Sequence, residues 1–195
     1  PVFEESFESL DLVGSNGGTY DGIEMTDGIF GNAVRFSGAD KLSYTVNGFN
    51  ADAGTLSFWV RPQYPFEDTD SHTFVSFREA NNTAWYFSVT DGWWESAGGT
   101  HRFYFVYQPF NVQASERTNV EFFRGNEWKF ITVVWRSVSH ADGPLMELYV
   151  NGVLQASKSS FSTNPPYNTP FSGPVTGISV GSDADGTRGA ESSMD

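Results

Sequence analysis

The feature that most constrains this chain is the spacing of its apolar residues, which recur at every second position in short runs bounded by Gly, Asn, Asp and Pro. Thr55-Leu56-Ser57-Phe58-Trp59-Val60-Arg61 is the clearest such run. Successive side chains on a strand point to opposite faces, so Leu56, Phe58 and Val60 share one face. Thr55, Ser57, Trp59 and Arg61 share the other. Met146-Glu147-Leu148-Tyr149-Val150-Asn151-Gly152-Val153-Leu154 predicts a hairpin, because Asn-Gly accepts positive φ at both central positions of a type I′ turn. Lys129–Trp135 is apolar on both sides of the alternation, which predicts a central strand covered on both faces.

Strands are expected at Ala33–Phe36, Lys41–Val46, Thr55–Arg61, Thr73–Arg78, Ala84–Val89, Arg102–Tyr107, Val120–Phe123, Lys129–Arg136, Met146–Val150, Val153–Ser157 and Ile178–Gly181. Val2–Phe7 reads as another at the N-terminus. No segment carries a helical period, and strands do not alternate with helices. Antiparallel sheets packed face to face are the expected all-β result. Ser9–Phe30, Pro62–Ser71, Gln108–Glu116 and Ser157–Thr176 read as long irregular connections, a type that often carries function. There is no internal repeat and no internal domain boundary.

Composition removes several function classes. Lys and Arg number 11 against 24 Asp and Glu, a formal charge of −13. Phosphate binding needs a cationic surface, so nucleic acid and anionic membrane are poor partners. There is no Cys, which excludes disulfides, thiolate zinc sites and Cys nucleophiles. No apolar run approaches the roughly 18 residues needed to cross a bilayer, so direct membrane insertion is not expected. The 18 Phe, 8 Tyr and 6 Trp exclude a disordered solvating tail. The chain opens on Pro1 rather than Met, which suggests a processed protein or a piece of a longer one.

Five segments in order resemble a concanavalin A-like sandwich, specifically the laminin G-like (pentraxin-like) group of bacterial surface and secreted proteins. They are Gly31–Gly38, Gly54–Pro62, Glu127–Trp135, Leu148–Leu154 and Ile178–Ser182. The resemblance implies a two-sheet antiparallel jelly roll, one domain over residues 1–195, drawn from a larger extracellular or cell-surface protein. It also implies that Ser193-Met194-Asp195 opens a final strand beside the first one, the rest of that strand being missing. The edge beside Val2–Phe7 is then expected to be exposed or filled by a strand-sharing partner.

Glycoside hydrolases of this superfamily carry paired carboxylates in a Glu-x-Asp-x-x-Glu run, and no such run occurs here. Of the Arg/Gln/His/Tyr set used by related lyases, only His101-Arg102-Phe103-Tyr104 offers an echo. His72, His101 and His140 read as surface histidines. The expectation is therefore a non-catalytic module that binds a glycan or a surface protein; an adhesion module using strand sharing and a polysaccharide lyase or hydrolase are the alternatives. Sugars are held by aromatic rings with polar groups reading hydroxyls. Trp93 and Trp94 in an apparent turn, and Tyr64, Phe66 and Tyr167 on loops, are the first candidates. Trp59, Tyr86, Arg102 and Tyr104 are expected to share a concave surface opposite the core. Related domains also bind structural calcium, whose oxygen ligands would here be Glu8, Asp11, Asn16 and Asp195.

Overall fold

The computed structural model describes residues 3–38, 40–49, 52–64, 70, 72–79, 87–94, 100–107, 112–116, 126–137, 140–159, 175–182 and 192–194. One short helix, α1 (Leu10–Ser15), precedes the strands. These are β1 (Gly18–Asp21), β2 (Glu24–Asp27), β3 (Asn32–Arg35), β4 (Lys41–Phe49), β5 (Ala53–Pro62), β6 (His72–Glu79) and β7 (Phe87–Trp94). They continue with β8 (Thr100–Tyr107), β9 (Val112–Glu116), β10 (Lys129–Arg136), β11 (Leu145–Val150), β12 (Val153–Lys158), β13 (Val175–Val180) and β14 (Ser192–Met194). The first sheet runs β1-β4-β13-β6-β7-β8-β9 and the second β12-β11-β10-β5-β14-β3-β2. The pairings are antiparallel. The all-β jelly-roll expectation is what the structure shows.

Alternation builds the core between the sheets. From the second sheet Ile131, Val133 and Trp135 of β10 and Met146, Leu148 and Val150 of β11 point inward and are buried. From the first come Leu42 and Tyr44, Val75 and Phe77, Val89, Phe105 and Ile178. Rings cross between the layers: Phe49 lies 4.7 Å from Phe77 and 5.7 Å from Trp135, and Phe105 lies 6.2 Å from Trp135. Trp135 stands opposite Gly54 in the β10–β5 register, and a Cβ at Gly54 would overlap its ring. Glycine there lets the largest core side chain lie against the neighbouring backbone.

Several expectations are corrected. A helix does exist: Ser9 caps α1, its Oγ accepting from the Leu12 N–H at 3.1 Å, and six residues are too few to show a period. β1 and β2 lie inside Ser9–Phe30 and β9 inside Gln108–Glu116, all read as irregular. β7 runs through Trp94, past the expected end at Val89, and the expected start at Ala84 lies outside the described residues. Of Val2–Phe7, the described residues Phe3–Phe7 form no strand, because Phe7 sits at φ 51, outside the extended region. They are held through side chains instead. Phe3 packs on Tyr44 at 4.7 Å, and the Glu5 carboxylate accepts from the Tyr44 hydroxyl (2.9 Å), the Asn16 amide (3.1 Å) and the Ser6 and Phe7 N–H groups (3.1 and 3.2 Å). Burial, then the Glu5 contact, pushes the Tyr44 phenol far above its ordinary value.

Ser192–Met194 does open a strand, but not beside the N-terminus: β14 inserts between β5 and β3, with Ser193 opposite Arg61 and Arg35. The edge expected beside Val2–Phe7 is thus not a strand edge among the described residues; the terminal strands of the sheets are β1, β9, β12 and β2. The expected strand Val120–Phe123 lies outside the described residues.

Candidate functional site: an aromatic stripe on the outer face of the second sheet

β10 is central in its sheet, yet only Ile131, Val133 and Trp135 are buried; Phe130, Thr132, Val134 and Arg136 on the other side are half-exposed. The double-sided apolar pattern therefore reflects a core face plus an outward face that touches solvent, not two covered faces. On that outward face the register sets Trp59 of β5 opposite Phe130 of β10, and the rings meet at 5.0 Å with a 42° tilt. Cross-strand aromatic pairs of this kind are a main source of sheet stability. Phe30, from the turn before β3, reaches the other side of Trp59 at 6.2 Å and 71°. Phe30 is 72% exposed, the largest value among the exposed large apolar side chains of the described residues.

Polar groups flank this row on both sides. One step along β5, the Arg61 guanidinium lies 5.0 Å above the Trp128 ring, a cation–π contact. In the other direction Ser57 Oγ and Thr132 Oγ1 share a hydrogen bond of 3.0 Å. Thr132 pairs with Tyr149, whose hydroxyl donates to Glu147 at 2.7 Å and whose phenol that carboxylate holds above its ordinary value. Tyr149 in turn pairs with Leu154, which is 48% exposed. The hairpin tip closes the surface: Asn151 and Gly152 take φ 47 and 76, the positive values expected of type I′. Asn151 donates its N–H to Phe130 O (2.8 Å), and its Oδ1 accepts from the Phe130 N–H (2.8 Å). A ring row bordered by hydroxyls and a guanidinium can take the C–H face of a sugar while polar groups meet its hydroxyls.

Of the residues expected to bind ligand, the structure places Trp59 on this surface. Arg102 and Tyr104 belong to β8 in the first sheet, so they do not share a face with Trp59 of the second. Trp93 and Trp94 are not in a turn; the β7–β8 ladder continues through them, opposite His101 and Thr100. Tyr64 is a core residue, 8% exposed, its ring stacked 3.7 Å from His72, which is itself buried. Loop position did not keep that ring in solvent. Phe66, Tyr86 and Tyr167 lie outside the described residues. Phe130 and Tyr149 were missed because only the strand register brings them to this surface, and Phe30 and Trp128 because they reach Trp59 and Arg61 from outside the strands.

Three of the four residues expected to hold calcium are among the described residues. Glu8 and Asp11 are exposed, while Asn16 caps α1 and gives its amide to Glu5. Among the described residues no three His, Cys, Asp or Glu side chains gather to hold a metal, and Asp195 lies outside them. Calcium needs six to eight oxygens.

The laminin G model of the Concanavalin A-like lectin/glucanases superfamily matches residues 36–195. The chain belongs to this superfamily. No curated protein matches it in sequence. Among solved structures it is similar to tailspike protein 2 of Escherichia coli O157:H7 bacteriophage CAB120, with 13% identity over 90% of this chain and 24% of the tailspike, TM-score 0.61. It is also similar to domain 4 of AbnA, an extracellular arabinanase from Geobacillus stearothermophilus solved with arabinotriose: 18% identity, 84% and 72% coverage, TM-score 0.52. A third is botulinum neurotoxin type C, whose cell entry depends on two ganglioside molecules: 16% identity, 84% and 37% coverage, TM-score 0.55. Identities this low carry the fold alone, and the laminin G-like chain spans little more than a third of the chain in the neurotoxin structure.

Proposed function

We propose that this superfamily member is a non-catalytic glycan-binding module of an extracellular protein, with the outer face of the second sheet as its ligand surface. The row Phe30–Trp59–Phe130 carries the proposal, because it leaves aromatic area in solvent on a sheet that has a full core on its other side. Rigid strands hold these rings in place, which lowers the ordering cost of binding. The comparisons add support: arabinotriose is bound by the arabinanase domain, and gangliosides serve the neurotoxin. Calcium is not required by this reading, and neither is strand sharing.

A glycan array, run with and without calcium, tests it. Binding that falls about fivefold or more in Trp59→Ala and Phe30→Ala is the expected result, each ring contact being worth about 1 kcal/mol. Phe30 lies outside the ladders, so its variant should melt where the parent does. Glycan binding unchanged in both variants would move the site elsewhere.

A further inference from the structure

We infer that the stripe takes a twisted, soluble oligosaccharide chain lying across β5 and β10, and neither a single sugar nor the flat face of a crystalline polysaccharide; this rests on the glycan-binding reading above. The angles decide it. A flat crystal face engages several rings at once only when those rings are coplanar. Here Trp59 is tilted 71° to Phe30 and 42° to Phe130, so a plane laid on one ring meets the next at a steep angle. A single glycan chain, whose successive units can rotate about their linkages, can present a face to each ring in turn.

The direction of the chain follows from the register. Trp59 and Phe130 are directly opposed cross-strand partners, so the row runs perpendicular to the strands. Ring spacings of 6.2 and 5.0 Å give more than one sugar a ring to lie on. Past Phe130 the row leads to the Asn151–Gly152 turn, where Val153 and Leu154 are 62% and 48% exposed. Alongside it the Ser57–Thr132 hydroxyl pair on one flank and Arg61 on the other supply hydrogen-bonding groups parallel to the same axis.

The experiment compares retention on microcrystalline cellulose and crystalline chitin with binding to arrayed soluble gluco-, arabino-, galacto- and sialyl-oligosaccharides, each as a series from monosaccharide to hexasaccharide. The expected result is no retention on either solid, and an affinity for at least one soluble series that rises about tenfold or more from the monosaccharide to the trisaccharide. That gain should shrink in Phe30→Ala, which leaves the sheet intact. Retention on a crystalline solid that Trp59→Ala or Phe30→Ala abolishes overturns the inference and leaves the glycan-binding function standing. So does an affinity already complete at the monosaccharide. Absence of binding to every soluble series and both solids overturns the function itself, and the inference with it.

Discussion

The central strands of the two sheets reverse what their sequences advertise. β6, read as His72-Thr73-Phe74-Val75-Ser76-Phe77, is polar at three of its six positions and looks half-exposed, yet all six residues are buried. β10, read as Phe130-Ile131-Thr132-Val133-Val134-Trp135, looks fit for burial on both faces, yet its outward side touches solvent. The hydroxyls of β6 tolerate burial because partners are supplied, as when Ser76 Oγ donates to Ser182 O at 3.1 Å. On β10 the outward Phe130 is paired with Trp59 across the strands, yet it stays half-exposed. The proposed ligand surface rests on that aromatic area left in water.

Paired truncations should give the largest contrast. Phe77→Ala, which removes a ring 2% exposed and packed on Phe49, is expected to cost about 3–5 kcal/mol of unfolding free energy in a denaturant titration. Phe130→Ala, on the outward side of β10, should cost only about 1 kcal/mol while weakening glycan binding. Equal costs for the two would end the distinction between the sheets.

A second contrast separates two Tyr–Glu pairs, Tyr44–Glu5 beneath the first sheet and Tyr149–Glu147 on the second. The buried Tyr44 keeps its proton well above the pH of about 10 at which an unfolded Tyr loses it. Between those two values the unfolded state binds fewer protons than the folded one, so stability falls as pH rises, by up to about 1.4 kcal/mol per pH unit. Below about pH 10 that contribution is fully present. Melting curves from pH 8 to 11 should show this decline, and Tyr44→Phe should flatten it, at a cost of about 1–2 kcal/mol near neutrality. Tyr149→Phe should flatten it less, since that phenol is raised first by the Glu147 hydrogen bond and only second by burial. A slope that survives Tyr44→Phe would assign the alkaline loss to another group.

The smallest effect concerns metal. With Asn16 committed to Glu5, excess calcium should move the melting midpoint by less than about 1 °C relative to chelator, since only a ligand of the native state stabilises it. A shift of several degrees, lost in Asp195→Ala, would show that Asp195 completes a site with Glu8 and Asp11.

What could be read from the sequence was whatever local alternation or turn chemistry encodes. β5, β10 and the Asn151–Gly152 hairpin are of that kind, each announced by its own residues. β1 and β2 escaped because neither strand buries a residue, so no apolar period marks them. α1 escaped because it is short. The proposed ligand surface was legible at Trp59 alone: Phe130 and Tyr149 come near it only through the non-local pairing of β5 with β10 and of β10 with β11, and Phe30 only through the turn before β3. Loop position misled in the case of Tyr64, whose ring found His72 and the core.

The double clasp between Asn151 and the backbone of Phe130 separates shape from content. It anchors the tip of one hairpin to the adjoining strand through main-chain atoms and one amide oxygen, none of them supplied by residues 153 or 154. Those two positions can therefore drift in side chain while the neighbouring rings keep their places, giving descendants of this protein a spot where preference for a target can be retuned at little risk to the scaffold.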